Sequence, residues 1–142
     1  MRLNEAQIQF VTSNRSAAMI TTGSDGIPKA VRVGVAFVDG KLWSSGTRNR
    51  IRTRRLREDP RCTLFVFEPG YQALTIETAV TIIDGSVAAD HSVRLFRTMQ
   101  ARPDGPLSWF GRELDEDAFR LHMIEEERLI YEFDVDHAYG LS

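Results

Sequence analysis

Ser44-Ser-Gly-Thr-Arg-Asn-Arg-Ile-Arg-Thr-Arg-Arg-Leu-Arg-Glu-Asp-Pro-Arg61 is the stretch on which the reading of this chain turns. Small polar residues end a strand at Ser45. Gly46-Thr47-Arg48-Asn49 then forms a loop, which opens a short helix running to about Glu58. Asp59-Pro60 stops that helix, because the residue before a proline is disfavoured in the α region. The N–H groups of a helix's first turn have no acceptor within the helix, and together with the helix dipole they favour an anion. The hydroxyls of Ser45 and Thr47 add donors. Arg48, Arg52 and Arg55 stand at i, i+4 and i+7, which predicts one helical face of guanidinium groups suited to phosphate or carboxylate. Within the helix only Ile51 and Leu56 are apolar, so packing alone does not account for the composition.

Charge sets this stretch apart from the rest. Residues 48–61 hold seven Arg against Glu58 and Asp59, a balance of +5, while residues 113–136 hold ten acids against Arg120 and Arg128, a balance of −8. The net charge of −2 hides this asymmetry. Two readings stay open: a local anion site, and a solvated basic helix paired with the acidic segment. A single-stranded nucleic-acid site needs exposed aromatics among its basic residues. None is interleaved between Arg48 and Arg61, so no nucleic-acid partner is expected. The chain has 16 Arg and 2 Lys, so a bias toward GC-rich codons would also place arginine here.

Outward from this stretch the pattern is that of strands. Ala17–Thr22 is one strand. Gly23-Ser-Asp-Gly26 is a turn, and Pro28–Val38 is a second, long strand. Asp39-Gly40 is a hairpin signal joining it to Leu42–Ser45. After the basic helix come Cys62–Glu68 and Ala73–Ile83, with Leu74, Ile76, Thr78, Val80 and Ile82 on one face of the latter. Asp84-Gly85 marks a bend, and Ser86–Ala89 is expected to continue the strand. Asn4–Ser13, capped by Asn4, His91–Ala101 and Asp115–Glu126, capped by Asp115, read as helices. Residues 129–135 alternate as a sixth strand. The expected fold is mainly β: six antiparallel strands in a closed or nearly closed barrel, with short flanking helices.

The 142 residues fit one domain spanning 1–142, and 42% hydrophobic with 27% charged residues is ordinary globular composition. The N-terminal residues lack a secretory pattern and no apolar run approaches the ~20 residues of a membrane span, so a cytoplasmic protein with no membrane partner is expected. Cys62 is the only cysteine and reads as a small core residue. His91, His122 and His137 have no metal-ligand spacing, and no P-loop, Gly-x-Ser-x-Gly or dinucleotide fingerprint is present. No catalytic side chain and no metal ligand is assigned. If the protein is an enzyme, a cofactor supplies the hard chemistry.

The order strand, turn, strand, Asp-Gly turn, strand, followed by Ser45-Gly-Thr-Arg-Asn-Arg-Ile-Arg52 and Asp59-Pro-Arg61, resembles the pyridoxamine 5′-phosphate-oxidase-like split β-barrels. More narrowly it resembles the flavin/deazaflavin oxidoreductases, which bind FMN or coenzyme F420. Arg128-Leu-Ile-Tyr-Glu-Phe-Asp-Val-Asp-His-Ala-Tyr-Gly140 is similar to that family's last strand. The resemblance implies a homodimer with a cofactor site at the interface. It places the cofactor ring against Val31, Arg32, Val33 and Gly34, and the phosphate on Ser45, Gly46, Thr47, Arg50 and Arg52, with Arg55 beside them. Family members often carry Lys where Arg52 stands and Asn where Arg55 stands; both departures keep or add positive charge. Seven arginines exceed what one phosphate needs, which favours F420, with its carboxylate tail, over FMN. The insert Arg94–Arg112, with Trp109-Phe110-Gly111, either shapes the substrate side or is a packed surface helix and loop. The implied activity is F420- or FMN-dependent hydride transfer to a small conjugated organic acceptor. The alternatives are a non-catalytic cofactor carrier or sensor on the same fold and, less favoured, a nucleic-acid-binding module.

Overall fold

The structure of the protein, a computed structural model, describes residues 2–141. Its elements follow local chemistry. Helix α1 (Glu5–Ser13) opens on a capping box in which the Asn4 side chain accepts from the Gln7 backbone and the Gln7 side chain accepts from the Asn4 backbone. Strands β1 (Ser16–Thr22), β2 (Pro28–Gly34), β3 (Ala36–Val38) and β4 (Lys41–Thr47) follow. Asp39 and Gly40 both have positive φ, 50° and 77°, as a two-residue type I′ hairpin between β3 and β4 requires. Helix α2 (Ile51–Glu58) leads to β5 (Arg61–Phe67) and β6 (Ala73–Ile83). A 3-10 turn at Gly85–Val87 runs into α3 (Ala88–Gln100). A small hairpin of β7 (Leu107–Trp109) and β8 (Arg112–Leu114) precedes α4 (Glu116–Glu125) and the long β9 (Arg128–Gly140).

The main sheet is antiparallel and has seven strands in the order β2-β1-β5-β6-β9-β4-β3, where six were expected. The difference lies in Pro28–Val38. Through Gly34 this segment pairs with β1; from Ala36 it pairs with β4. One extended path therefore contributes both ends of the sheet, with Val35 as the corner. Val35 N leaves the ladder and donates to Arg15 O at 2.7 Å. Because the two ends are joined by a single residue, the sheet must curl into a half-barrel, and Ser44 Oγ fastens the seam by donating to Gly34 O at 2.7 Å.

The inside of the curl holds one apolar cluster, including Met19, Leu64, Val66, Leu74, Ile76, Leu129 and Tyr131. Leu74, Ile76, Thr78 and Val80 alternate inward, as the sequence pattern requires. Cys62 lies in this core, and burial pushes its thiol pKa up to about 12, so it stays protonated. Outside the sheet, α3 packs Leu95 on Trp43 and Ile130. A third cluster, Val93, Leu107, Leu114, Phe119 and Met123, ties the β7–β8 hairpin to α3 and α4.

Two further expectations are corrected. Ser86–Ala89 does not extend β6: the Asp84 side chain accepts from Gly85 N, Gly85 takes φ 85°, and the chain turns into the helix. Arg48 does not share a helical face with Arg52 and Arg55, because α2 starts only at Ile51.

Candidate functional site

The strand β4 runs on to Thr47, so Gly46 and Thr47 belong with Ser45 to the sheet rather than to a loop. Arg50 forms the N-cap of α2 with an extended backbone and no side-chain capping bond. Its carbonyl accepts from both Thr53 N (3.1 Å) and Arg54 N (3.2 Å). The first-turn N–H groups of Ile51 and Arg52 have no acceptor within the helix. Thr53 holds this turn in place: its hydroxyl donates to Thr47 O at 2.7 Å and is hydrogen-bonded to the buried Tyr131 hydroxyl. The Tyr131 ring covers Gly46, where a Cβ would collide with it.

The arginines of this segment fall into two groups. Arg48 pairs with Asp84 at 3.0 Å and Glu127 at 2.5 Å, Arg57 with Asp84 at 3.3 Å, and Arg61 with Asp59 at 2.7 Å. Asp84 and Asp59 sit below the ordinary carboxylate range because their arginine partners hydrogen-bond to them, Asp59 at about 2. Arg50, Arg52, Arg54 and Arg55 pair with no carboxylate among the described residues. Arg52 carries its guanidinium 5.8 Å from the Tyr131 ring centroid, and its buried Nε has no hydrogen-bond partner. Partial burial, then the charges of Arg52 and Arg128, hold the Arg50 guanidinium below its usual pKa. This is how cations behave when crowded without an anion between them. The donor set fits a phosphate-bearing cofactor.

The remaining expected residues are spread more widely. Arg55 donates weakly to Thr21 Oγ1 on β1, at 3.4 Å. Ser45 alternates onto the side of β4 that carries Trp43, and its buried Oγ has no partner. Val33 points into the core and Val31 packs against it. Gly34 lies against Met99 of α3. Arg32 faces outward and donates to Ser16 Oγ at 3.2 Å. It borders a largely apolar hollow of about 330 Å³ floored by Ala18 and Ala30, with Phe67 at its rim. Arg128 was not among the expected residues, although it is the one base in the acidic run Glu125–Asp136. Among the described residues no group of His, Cys, Asp and Glu is placed to hold a metal ion, and no helix is long and apolar enough to cross a membrane.

The chain is a curled antiparallel half-barrel with a cationic turn after its fourth strand. The chain belongs to the pyridoxamine 5′-phosphate oxidase family, whose model matches residues 3–120. Its fold is shared with the conserved hypothetical protein Rv2991 of Mycobacterium tuberculosis (20% identity, 97% of this chain and 84% of that one, TM-score 0.74). It is also shared with an F420 reductase (18% identity, 96% and 98%, TM-score 0.68). A third likeness is HutZ, the heme storage protein of Vibrio cholerae (12% identity, 99% and 95%, TM-score 0.67).

Proposed function

We propose that the protein is a cytoplasmic oxidoreductase that uses F420, or else FMN, to transfer a hydride to a small conjugated organic acceptor. The observation that carries this reading is the pair Arg50 and Arg52: unpaired with any carboxylate among the described residues, at a helix N-terminus, in a chain of this family. In this reading Arg50, Arg52 and the free N–H groups of α2 hold the phosphate, with Thr47 and Gly46 shaping the turn beneath it. The hollow beside Arg32 and Val31 takes the planar ring. When bound, the cofactor supplies the hydride chemistry; the protein binds, orients and keeps water away. F420 is preferred because Arg54 and Arg55 leave further positive charge for a carboxylate tail.

The reading includes a homodimer. Register aligns Arg32, Ala18, Phe65, Thr75 and Tyr139 in one row across the outer face of the sheet. Phe65, Phe67 and Tyr139 are 39%, 50% and 51% exposed there. A second copy on this face would bury these aromatic side chains and wall the hollow.

Titration of the purified protein with FMN and with F420, followed by fluorescence, tests the proposal. Saturable binding of one of them is expected, and turnover with a panel of acceptors follows from it. A non-catalytic flavin or deazaflavin carrier or sensor on the same fold is the second reading; binding without turnover would select it. Binding of neither cofactor removes both.

A further inference from the structure

Strand β9 carries one residue too many for a regular ladder with β6. The register pairs Thr78 with Val135 and then Glu77 with His137, so Asp136 is the extra residue of a β-bulge. In an unbroken ladder Asp136 would stand opposite Glu77, carboxylate against carboxylate. The bulge puts His137 there instead. Glu77 and His137 are both exposed, on the outer face of the sheet. Directly opposed residues of a ladder have Cβ atoms about 4.5–5.5 Å apart, so the imidazole reaches the carboxylate by a change of rotamer.

The face around this pair is otherwise poor in free charge. Register sets Ala30, Ile20, Thr63, Glu77 and His137 in one row, beside the row that holds Phe65 and Tyr139. The Tyr139 ring lies 5.7 Å from that of His137. Thr63 on β5 and Thr75 on β6 are neutral. Arg61, two residues from Thr63, is held by Asp59 at 2.7 Å. Asp134, further along β9, accepts from Thr81 Oγ1 at 3.0 Å, and Asp136 adds an acid next to His137 itself. Arg32 is three strands from Glu77, roughly 14 Å at the usual strand spacing. That leaves His137 to answer the charge of Glu77.

We propose that Glu77 and His137 make the association of two copies through this face depend on pH, with His137 taking a proton from water as the copies meet and covering Glu77 as an ion pair. This rests on the dimer of the reading above. A carboxylate taken out of water without a partner is costly, and one matched by a hydrogen-bonded cation is much less so. An imidazole gains its proton between about pH 5 and 8. The dimer therefore holds up to one more proton per subunit than the separate chains do, and the state that binds more protons gains as the pH falls. The gain ends where His137 is already protonated in the separate chain.

Sedimentation equilibrium of the full chain at about pH 8 and about pH 6 reads this coupling. The wild-type dimer should tighten about tenfold or more on going to the lower pH. Glu77→Gln removes the charge and should give a tight dimer at both. His137→Gln leaves the carboxylate unanswered, and its dimer should stay as weak at the lower pH as the wild type's is at the higher. Phe65→Ala, which trims the aromatic contact, brings into range a dimer too tight to separate by dilution. A wild-type dimer of equal affinity at the two pH values overturns the inference while leaving the dimer in place, and so does a His137→Gln dimer that keeps the wild type's pH dependence. A wild-type chain that stays monomeric at both removes the dimer and the inference together.

Discussion

Arg48, Arg57 and Arg61 on one side, and Arg50 and Arg52 on the other, come from the same fourteen residues and look alike in sequence. In the folded chain each of the first group meets a carboxylate, from Asp84, Glu127 or Asp59. Neither of the second group does among the described residues. The idea of a basic helix neutralised by the acidic segment is therefore correct for Arg48 and Glu127 and incorrect for the first turn of α2. Asp84 and Asp59, which take most of the pairing, lie outside that segment. The fold uses part of its arginine to fasten α2 to β6 and β9, and leaves part without a carboxylate partner among the described residues.

Replacing Arg52 should give the largest effect. Arg52→Glu puts a negative charge beside Arg50 and removes the orphaned Nε. The bound cofactor's affinity should fall about 100-fold, ~3 kcal/mol, with little change in melting temperature. Arg48→Ala, measured in the same fluorescence titration, should bind as the wild type does. Equal losses in the two variants would dissolve the division between the groups.

Gly46 tests the boundary between fold and ligand. A glycine before a phosphate-binding turn invites the explanation that backbone must approach ligand closely. Here the neighbour is the ring of the fully buried Tyr131, and a methyl group at this position has no room. Gly46→Ala should cost about 2–3 kcal/mol in denaturant unfolding through overpacking. A variant of unchanged stability that no longer binds cofactor would show that the glycine serves the ligand.

The elements that depend on their own sequence were legible. The alternation of Leu74 to Val80, the caps at Asn4 and Asp115 and the Asp39-Gly40 hairpin all declare themselves within a few residues. The change of partner at Val35 does not, since inside and outside alternate across it without interruption and only the pairing changes. The β7–β8 hairpin was missed because each strand has three residues and its turn uses Phe110 at φ 48°, a residue seldom found there. The cationic turn was legible as charge. Which arginines remain free was not, because the partners of Arg48 lie 36 and 79 residues away.

The smallest expected effect is a pH dependence, and it comes from the paired group. The hydrogen bond from Arg48 is the largest cause that holds the Asp84 carboxyl below its ordinary value of 3.8. The unfolded chain therefore takes up this proton first as pH falls. The stability from the pair is present above about pH 4 and is lost as the pH drops through the lower, folded value. Urea midpoints of wild type and Arg48→Ala should differ modestly at about pH 6 and converge in acid. The gap should also narrow at high salt, since Arg48 is 47% exposed. Convergence is incomplete to the extent that Arg57 still reaches Asp84 at 3.3 Å. A gap that stays constant with pH would mean that Arg48 acts through the packing of its aliphatic stem, in which case charge pairing would no longer be what separates it from Arg50 and Arg52.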